Sequence, residues 1–198
     1  MILVSDVVPF RPPRRPRDVT SYIGMVIFLG GWAMMFAGLF FAYAIVRFKA
    51  MSWPPPGETR LPVALPALNT LVILASSGTL MLALRAIRSA RPSLFRGAIV
   101  ATFVLGAAFV GLQYVVWRRL YLDGLTPDSG IYGSVFYGLT CFHAVHVVVG
   151  LIGLLTLVPR AFAGKFSALD HTPVRMWSMY WHFVDFVWLL MFVSVYVL

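Results

Sequence analysis

The sequence predicts an all-α polytopic integral membrane protein with five transmembrane helices. Of its 198 residues, 60% are hydrophobic and only 12% are charged, and the mean hydropathy is +0.85. Soluble domains carry about 25% charged residues, so this composition is typical of a membrane protein. Five stretches without lysine or arginine are long enough for the roughly 20 residues that a helix needs to cross a bilayer. Each is expected to be helical, because a helix satisfies its own backbone hydrogen bonds in lipid.

The five predicted spans leave no room for a separate soluble domain. They cover residues 22–46, 65–84, 97–117, 131–159 and 176–198. The basic, proline-rich stretch before them is too polar to bury a core, so residues 1–20 are predicted to form a cytoplasmic tail and residues 21–198 the membrane domain. The first span is too long for the apolar core of a signal peptide and is interpreted as an uncleaved anchor.

The distribution of basic residues predicts the orientation. Eleven of the 16 lysines and arginines lie in the tail and in the loops that follow the second and fourth spans. The positive-inside rule therefore places the amino terminus in the cytoplasm and the carboxyl terminus outside. This topology also accounts for the net charge of +9, and the sequence has no basic–aromatic module that would indicate nucleic acid as a partner. Aromatic residues near the outer ends, Trp53, Trp117, Tyr121 and Tyr132, are expected to form an interfacial belt.

Polar residues within the fourth and fifth spans are the candidate functional residues. His143 and His146 are three residues apart, as are His182 and Asp185, so each pair lies on one helix face. At about 1.5 Å per residue, all four groups fall near mid-membrane, which suggests that the two helices face each other. Asp185 is the one acid in the five spans.

Four interpretations of these residues compete. A metal or haem site could use the histidines and the carboxylate. A proton relay or transporter site could use the same groups. Contacts with lipid headgroups or another subunit would explain the aromatic ends but not the buried depth. The residue chemistry favours the fourth, an interhelical cluster in which Asp185 accepts a hydrogen bond from a histidine, with His143 or His146 preferred to His182. No H-E-x-x-H motif, broken helix or repeat supports the others. The single cysteine, Cys141, excludes an intrachain disulfide and a cysteine-only metal site.

Two motifs in series carry a resemblance to a known family. The stretch GLTCFHAVHVVVG at 138–150, followed by YWHFVDFVW at 180–188, resembles subunit III of the haem–copper terminal oxidases, the cytochrome c oxidases among them. Shorter pieces agree in order along nearly the whole chain from Ser21, and the length resembles the five-helix bacterial form. These pieces are Phe28-Leu29, Phe36, Tyr43, Arg47, Trp53-Pro54-Pro55, Leu68-Asn69-Thr70, Ser76-Ser77 and Leu112-Gln113.

The resemblance implies a non-catalytic subunit of a bacterial oxidase that reduces oxygen to water and translocates protons in aerobic electron transport. It implies a multi-pass protein of the cytoplasmic (inner) membrane that packs against subunit I, assembles with subunit II and other oxidase subunits, and binds phospholipid. A respiratory supercomplex is a further implied partner. Haem and copper would belong to the partner subunits, so no catalytic or metal-binding residue is expected here. The resemblance assigns a structural polar cluster to His143, His146, His182 and Asp185. Lipid or subunit contacts are expected at Trp32, Arg47, Trp53 and Trp181.

Two departures from the family pattern limit what carries over. Gly31-Trp32 stands where relatives commonly have Ser-Glu in the first span, and Val116 stands where they often have a glutamate in the third. A role for a first-span carboxylate in proton uptake therefore does not transfer. A subunit III-like partner of a quinol oxidase or nitric oxide reductase stays open as an alternative, as does a stand-alone proton-coupled transporter.

Overall fold

The computed structural model describes residues 16–58 and 60–198, most of which lie in long helices. Residues 1–15, most of the predicted cytoplasmic tail, lie outside the described part of the chain, whereas residues 16–20 belong to the first helix. The elements in chain order are α1 Pro16–Lys49, α2 Ala64–Arg88, α3 Pro92–Leu122, α4 Ile131–Phe162, α5 Thr172–Met191 and a terminal π-helical segment, Phe192–Val197.

The five predicted spans are confirmed, because all five helices are long and apolar enough to cross a membrane. The last span differs from the prediction of one continuous helix over 176–198. Its final turns have π geometry, in which the amide of Leu198 donates to the carbonyl of Val193 at 3.0 Å. The carbonyl of Ser194 instead accepts from the Tyr43 hydroxyl at 2.7 Å and from the Arg47 guanidinium at 2.9 Å. Two side chains of α1 therefore satisfy backbone acceptors at the end of this helix.

Helices α2 to α5 pack together, and α1 lies at the edge. The pair α2 and α3 is in extensive contact, α3 packs on α4, and α5 contacts both α4 and α2, whereas α1 packs mainly on α5. In an 18-residue apolar stretch of α1 only 6% of the residues are buried, compared with 33–50% in the corresponding stretches of the other helices. Ile27, Met34 and Phe41 recur at seven-residue spacing on α1 and are exposed. In a membrane this stripe must face lipid or another subunit.

Three helices end in the same backbone motif, which reverses the chain within a few residues. After α2, α3 and α4 the residue with a positive φ is Ala90 at 51°, Gly124 at 93° and Gly164 at 66°, respectively. At the end of α2 the amide of Arg91 donates to the carbonyl of Ala86 at 2.9 Å, and the amide of Ala90 to that of Ile87 at 3.2 Å. This pairing is the Schellman motif, in which glycine is the usual residue with positive φ.

Candidate functional site

Polar side chains of α2 pair with those of α5 deep in the helix block. The Trp181 indole N–H donates to the Ser76 hydroxyl at 2.8 Å, and the Trp188 indole N–H donates to the Thr70 hydroxyl at 2.9 Å. Both hydroxyl groups are buried, so these bonds satisfy groups that water does not reach. We call this set the α2–α5 polar seam: Thr70, Ser76, Ser77, Trp181, His182, Asp185 and Trp188.

Ser77 lies at the centre of the seam and links two of the predicted site residues. Its hydroxyl donates to Oδ2 of Asp185 and lies 2.9 Å from Nδ1 of His182. A hydroxyl carries one proton, so a Ser77 that donates to Asp185 must accept from His182, which places the imidazole proton on Nδ1. Asp185 is only 4% exposed, and its Oδ1 has no hydrogen-bond partner among the described residues.

The prediction that Asp185 bonds a histidine of the fourth helix is wrong. The bond runs to Ser77 on α2 instead, and neither ring nitrogen of His143 has a hydrogen-bond partner in the described part of the chain. The His143 ring packs among aromatic rings, 5.5 Å from Trp188 and 6.3 Å from Phe109 between centroids. The physical reason is the side on which α5 packs. The face of α5 that carries Asp185 lies against α2, and the small Ser77 side chain allows the two helices to approach closely.

His146 is also separate from the seam. Its Nδ1 lies 2.8 Å from the carbonyl oxygen of Phe142 one turn earlier in α4. Its ring packs edge-on against Trp32 and Phe36 of α1, with centroids 4.2 and 5.0 Å apart. Hydrogen bonds thus join His182 and Asp185 through Ser77, while His143 and His146 lie among aromatic rings.

Within the part of the chain that the structure describes, the side chains with metal-ligating chemistry do not assemble into a coordination site. In the ranges 16–58 and 60–198, no group of three or more histidine, cysteine, aspartate or glutamate residues is placed to hold a metal ion. His182 and Asp185 are both hydrogen-bonded to the Ser77 hydroxyl, and Nδ1 of His146 is within hydrogen-bond distance of the carbonyl oxygen of Phe142. The geometry is that of helix-to-helix packing.

Three of the predicted lipid or subunit contacts make contacts within the chain while keeping partial exposure. Trp32 packs on His146, and Trp53 lies 5.9 Å from Tyr43 and 5.0 Å from Tyr132 between ring centroids. Arg47 donates to the Tyr43 hydroxyl at 3.0 Å as well as to the carbonyls of Ser194 and Leu198. Each is half-buried, so a further contact with lipid or a partner stays a prediction.

Trp181 does not contact lipid or a partner, contrary to the prediction, because it is only 1% exposed. Its ring lies between two glycines of neighbouring helices. A β-carbon built at Gly106 of α3 would lie 2.6 Å from Cη2 of the indole, and one built at Gly150 of α4 would lie 2.8 Å from Cε3. These glycines create the space that the ring fills, and Ser76 fixes its N–H.

A second set of buried polar side chains joins α2, α3 and the terminal π-helical segment. The Gln113 amide donates to the Tyr196 hydroxyl at 3.1 Å, and the Asn69 amide donates to the carbonyl of Phe109 at 3.2 Å. Val116, three residues after Gln113, is fully buried and apolar. Sequence reasoning did not assign a role to these residues or to Ser76-Ser77, although polar pairs inside an apolar span were a visible signal.

Comparison with known proteins extends over most of the chain. A family model described as cytochrome c oxidase subunit III matches residues 18–198. The probable cytochrome c oxidase subunit 3 of Nocardia farcinica is 38% identical over 184 residues, which are 92% of this chain and 89% of that protein. The corresponding protein of Mycobacterium tuberculosis strain H37Rv is 39% identical with the same coverage. Cytochrome c oxidase subunit 3 of Thermostichus vulcanus is 34% identical over 89% of this chain and 86% of its own length.

These matches agree with the geometry, in which five apolar helices are joined by internal polar contacts. The chain belongs to the cytochrome c oxidase subunit III family.

Proposed function

We propose that this chain is the non-catalytic subunit III of a bacterial respiratory cytochrome c oxidase. It packs against the subunit that carries the haems and the nearby copper, lies in the cytoplasmic membrane with its amino terminus inside, and stabilises the complex during turnover. The observation that supports this most directly is the family match over residues 18–198, combined with the engagement of His182 and Asp185 in helix packing. Redox chemistry is then supplied by haem and copper in partner subunits, to which this chain contributes no ligand.

Affinity purification through a tag on this chain tests the assignment. We expect a multi-subunit complex with haem absorption bands that oxidises reduced cytochrome c, and a haem-free band for this chain after dissociation of the subunits. An untagged strain taken through the same steps is the control. Recovery of a colourless single protein would favour a transporter, and activity with a quinol but not with cytochrome c would indicate the quinol oxidase alternative.

Asp185 is proposed to act in structure and not as a proton relay. Asp185→Asn keeps an oxygen that can accept from Ser77 but removes the ionisable group, whereas Asp185→Leu removes both. We therefore expect the asparagine variant to retain the subunit and initial turnover, and the leucine variant to lose the subunit in detergent. Subunit retention and the first minute of oxygen consumption are measured on the same preparations. A fully assembled asparagine variant without turnover would contradict this role.

The proposed orientation has a separate test. Alkaline phosphatase fused after Leu198 should be active because the carboxyl terminus faces outward, whereas the same enzyme fused in the α2–α3 loop after Ser89 should be inactive. The positive-inside distribution of basic residues supports this arrangement. Activity in the loop fusion and none at the terminus would reverse the topology.

A further inference from the structure

His182 lies on a face of α5 that stays open between α1 and α2. Its Nδ1 lies 2.9 Å from the Ser77 hydroxyl of α2, whereas the next residue, Phe183, packs on Phe36 of α1 with ring centroids 6.3 Å apart. Helices α1 and α2 both pack on α5 but have little or no contact with each other. The face of α5 between them is therefore the floor of a groove, which we call the α5 groove, with His182 partly exposed in it.

The side chains around His182 in the α5 groove are apolar. Met179 and Phe186, one turn before and one turn after His182, lie beside it on the floor, and Phe186 is 58% exposed. On the α2 wall, Leu74 and Met81 flank the residue that bonds His182 at the same one-turn spacing, and both are exposed. An apolar groove of this kind is the surface on which another helix lays its own apolar face.

The second ring nitrogen of His182 gives the α5 groove one free hydrogen-bond acceptor. Because Ser77 donates to Asp185, the imidazole proton is on Nδ1 and Nε2 carries a lone pair. No residue in the described part of the chain donates to Nε2. His182 lies about 4 Å from the centre of the span Thr172–Val197, at a depth that water does not reach. An acyl chain has no proton to donate, so lipid at this place would leave the acceptor unsatisfied.

We propose that the α5 groove receives a transmembrane helix of a partner subunit, on which a hydroxyl, amide or indole group donates a hydrogen bond to Nε2 of His182. Such a helix covers the apolar lining and satisfies the acceptor in a single contact. A second copy of this chain fits less well, because a symmetric contact places the same patch on both sides and brings two acceptors together. The inference rests on the proposed function in naming a partner subunit, and it adds the face and the atom that bind.

Two substitutions of His182 separate the partner contact from the internal bond. Asparagine places its amide nitrogen near the position of Nδ1, so His182→Asn still donates to Ser77 but does not reach the partner. Glutamine places its amide oxygen near the position of Nε2, so His182→Gln reaches the partner but loses the bond to Ser77. In the purified complex in detergent, the half-life for dissociation of this subunit should be about three- to fifteenfold shorter in His182→Asn and within about twofold of the parent in His182→Gln. Equal half-lives, or the reverse order that a purely internal role of His182 requires, would overturn the proposal.

Photocrosslinking in the same complex identifies the occupant of the α5 groove. Benzoylphenylalanine is placed at Phe186 or, as the matched control, at Val145 of α4, which is 60% exposed and equally close to the middle of its helix. Products are mapped by mass spectrometry.

We expect Phe186 to crosslink to a transmembrane peptide of another subunit, and His182→Asn to reduce this product severalfold without changing any product from Val145. Label on lipid alone, a crosslink to a second copy of this chain, or a product that His182→Asn leaves unchanged would overturn the proposal. The haem bands of the sample report separately on the proposed function. A haem-containing complex without the crosslink rejects the groove contact alone, whereas a colourless single chain rejects both.

Discussion

Substitution of Gly106 by alanine should destabilise the helix block through Trp181. The new β-carbon would lie 2.6 and 2.7 Å from Cη2 and Cζ2 of the indole and 2.9 Å from Cδ2 of Leu151. Leu151 can rotate, but the indole cannot move away. Its other edge lies against Gly150, where a β-carbon would be 2.8 Å from Cε3, and its N–H is held by Ser76. The clash between the added β-carbon and the indole can therefore be relieved only by a shift of α3 as a whole.

The magnitude follows from two opposing effects. An extra methyl group forced into a packed interior costs about 1–3 kcal/mol. Alanine gains about 0.5–1 kcal/mol over glycine in a helix because it restricts the unfolded chain. We expect Gly106→Ala to lower the free energy of unfolding by up to about 2.5 kcal/mol. At Gly111 on the same helix, no atom lies within 4 Å of an added β-carbon. Gly111→Ala should therefore gain the helix preference of alanine without a steric cost.

Equilibrium unfolding of the purified chain in mixed micelles, with an increasing fraction of sodium dodecyl sulfate, measures both variants. Because the two substitutions are chemically identical, the helix preference cancels in their difference, which should be about 1–3 kcal/mol. Trp181→Phe provides a second check, since the smaller ring vacates the space that the methyl group needs. The double variant with Gly106→Ala should be less destabilised than the sum of the single variants. Equal stability of the Gly106 and Gly111 variants would refute the steric argument.

Two further predictions follow from hydrogen bonding and backbone geometry. Ser77→Ala should lower the free energy of unfolding by about 1–3 kcal/mol in the same assay, because Asp185 stays buried without its donor, whereas Ser93→Ala at an exposed position should have little effect. An unchanged Ser77→Ala variant would contradict the assigned bond. Ala90→Gly should raise the unfolding free energy by about 1 kcal/mol, because a non-glycine residue with positive φ is strained, while Ala163→Gly, at φ −75°, should not be stabilising. A destabilised Ala90→Gly variant would show that the turn is not strained.

The sequence predicted the helices well because their signal is local. A run of apolar residues without basic side chains marks a span whatever lies beside it, and the helices extend only a few residues beyond the predicted bounds. The π-helical end was not predictable in this way. The carbonyl of Ser194 is held by Tyr43 and Arg47, which lie at the other end of the sequence.

The partners of the candidate site residues were predicted less well, for a physical reason. A three-residue spacing shows that His182 and Asp185 share a face, but it does not show which neighbouring helix that face meets. Depth alone suggested α4, because its histidines lie at a similar level. The structure places α2 there, with Ser77 as the partner. Trp181 was expected to contact lipid or another subunit, and the glycines that receive its ring could not be recognised because they are far away in sequence.

The chemistry of the α2–α5 polar seam explains why small hydroxyl residues, and not histidines, meet Asp185. In lipid, helices associate through close packing and interhelical hydrogen bonds, and serine or threonine permits both. Ser76 and Ser77 let α2 approach α5 while accepting the Trp181 N–H and donating to Asp185. The groups with the most reactive chemistry are thereby held inside the protein. The large apolar residues that stay exposed, such as the stripe of α1, lie on faces that are separate from these groups.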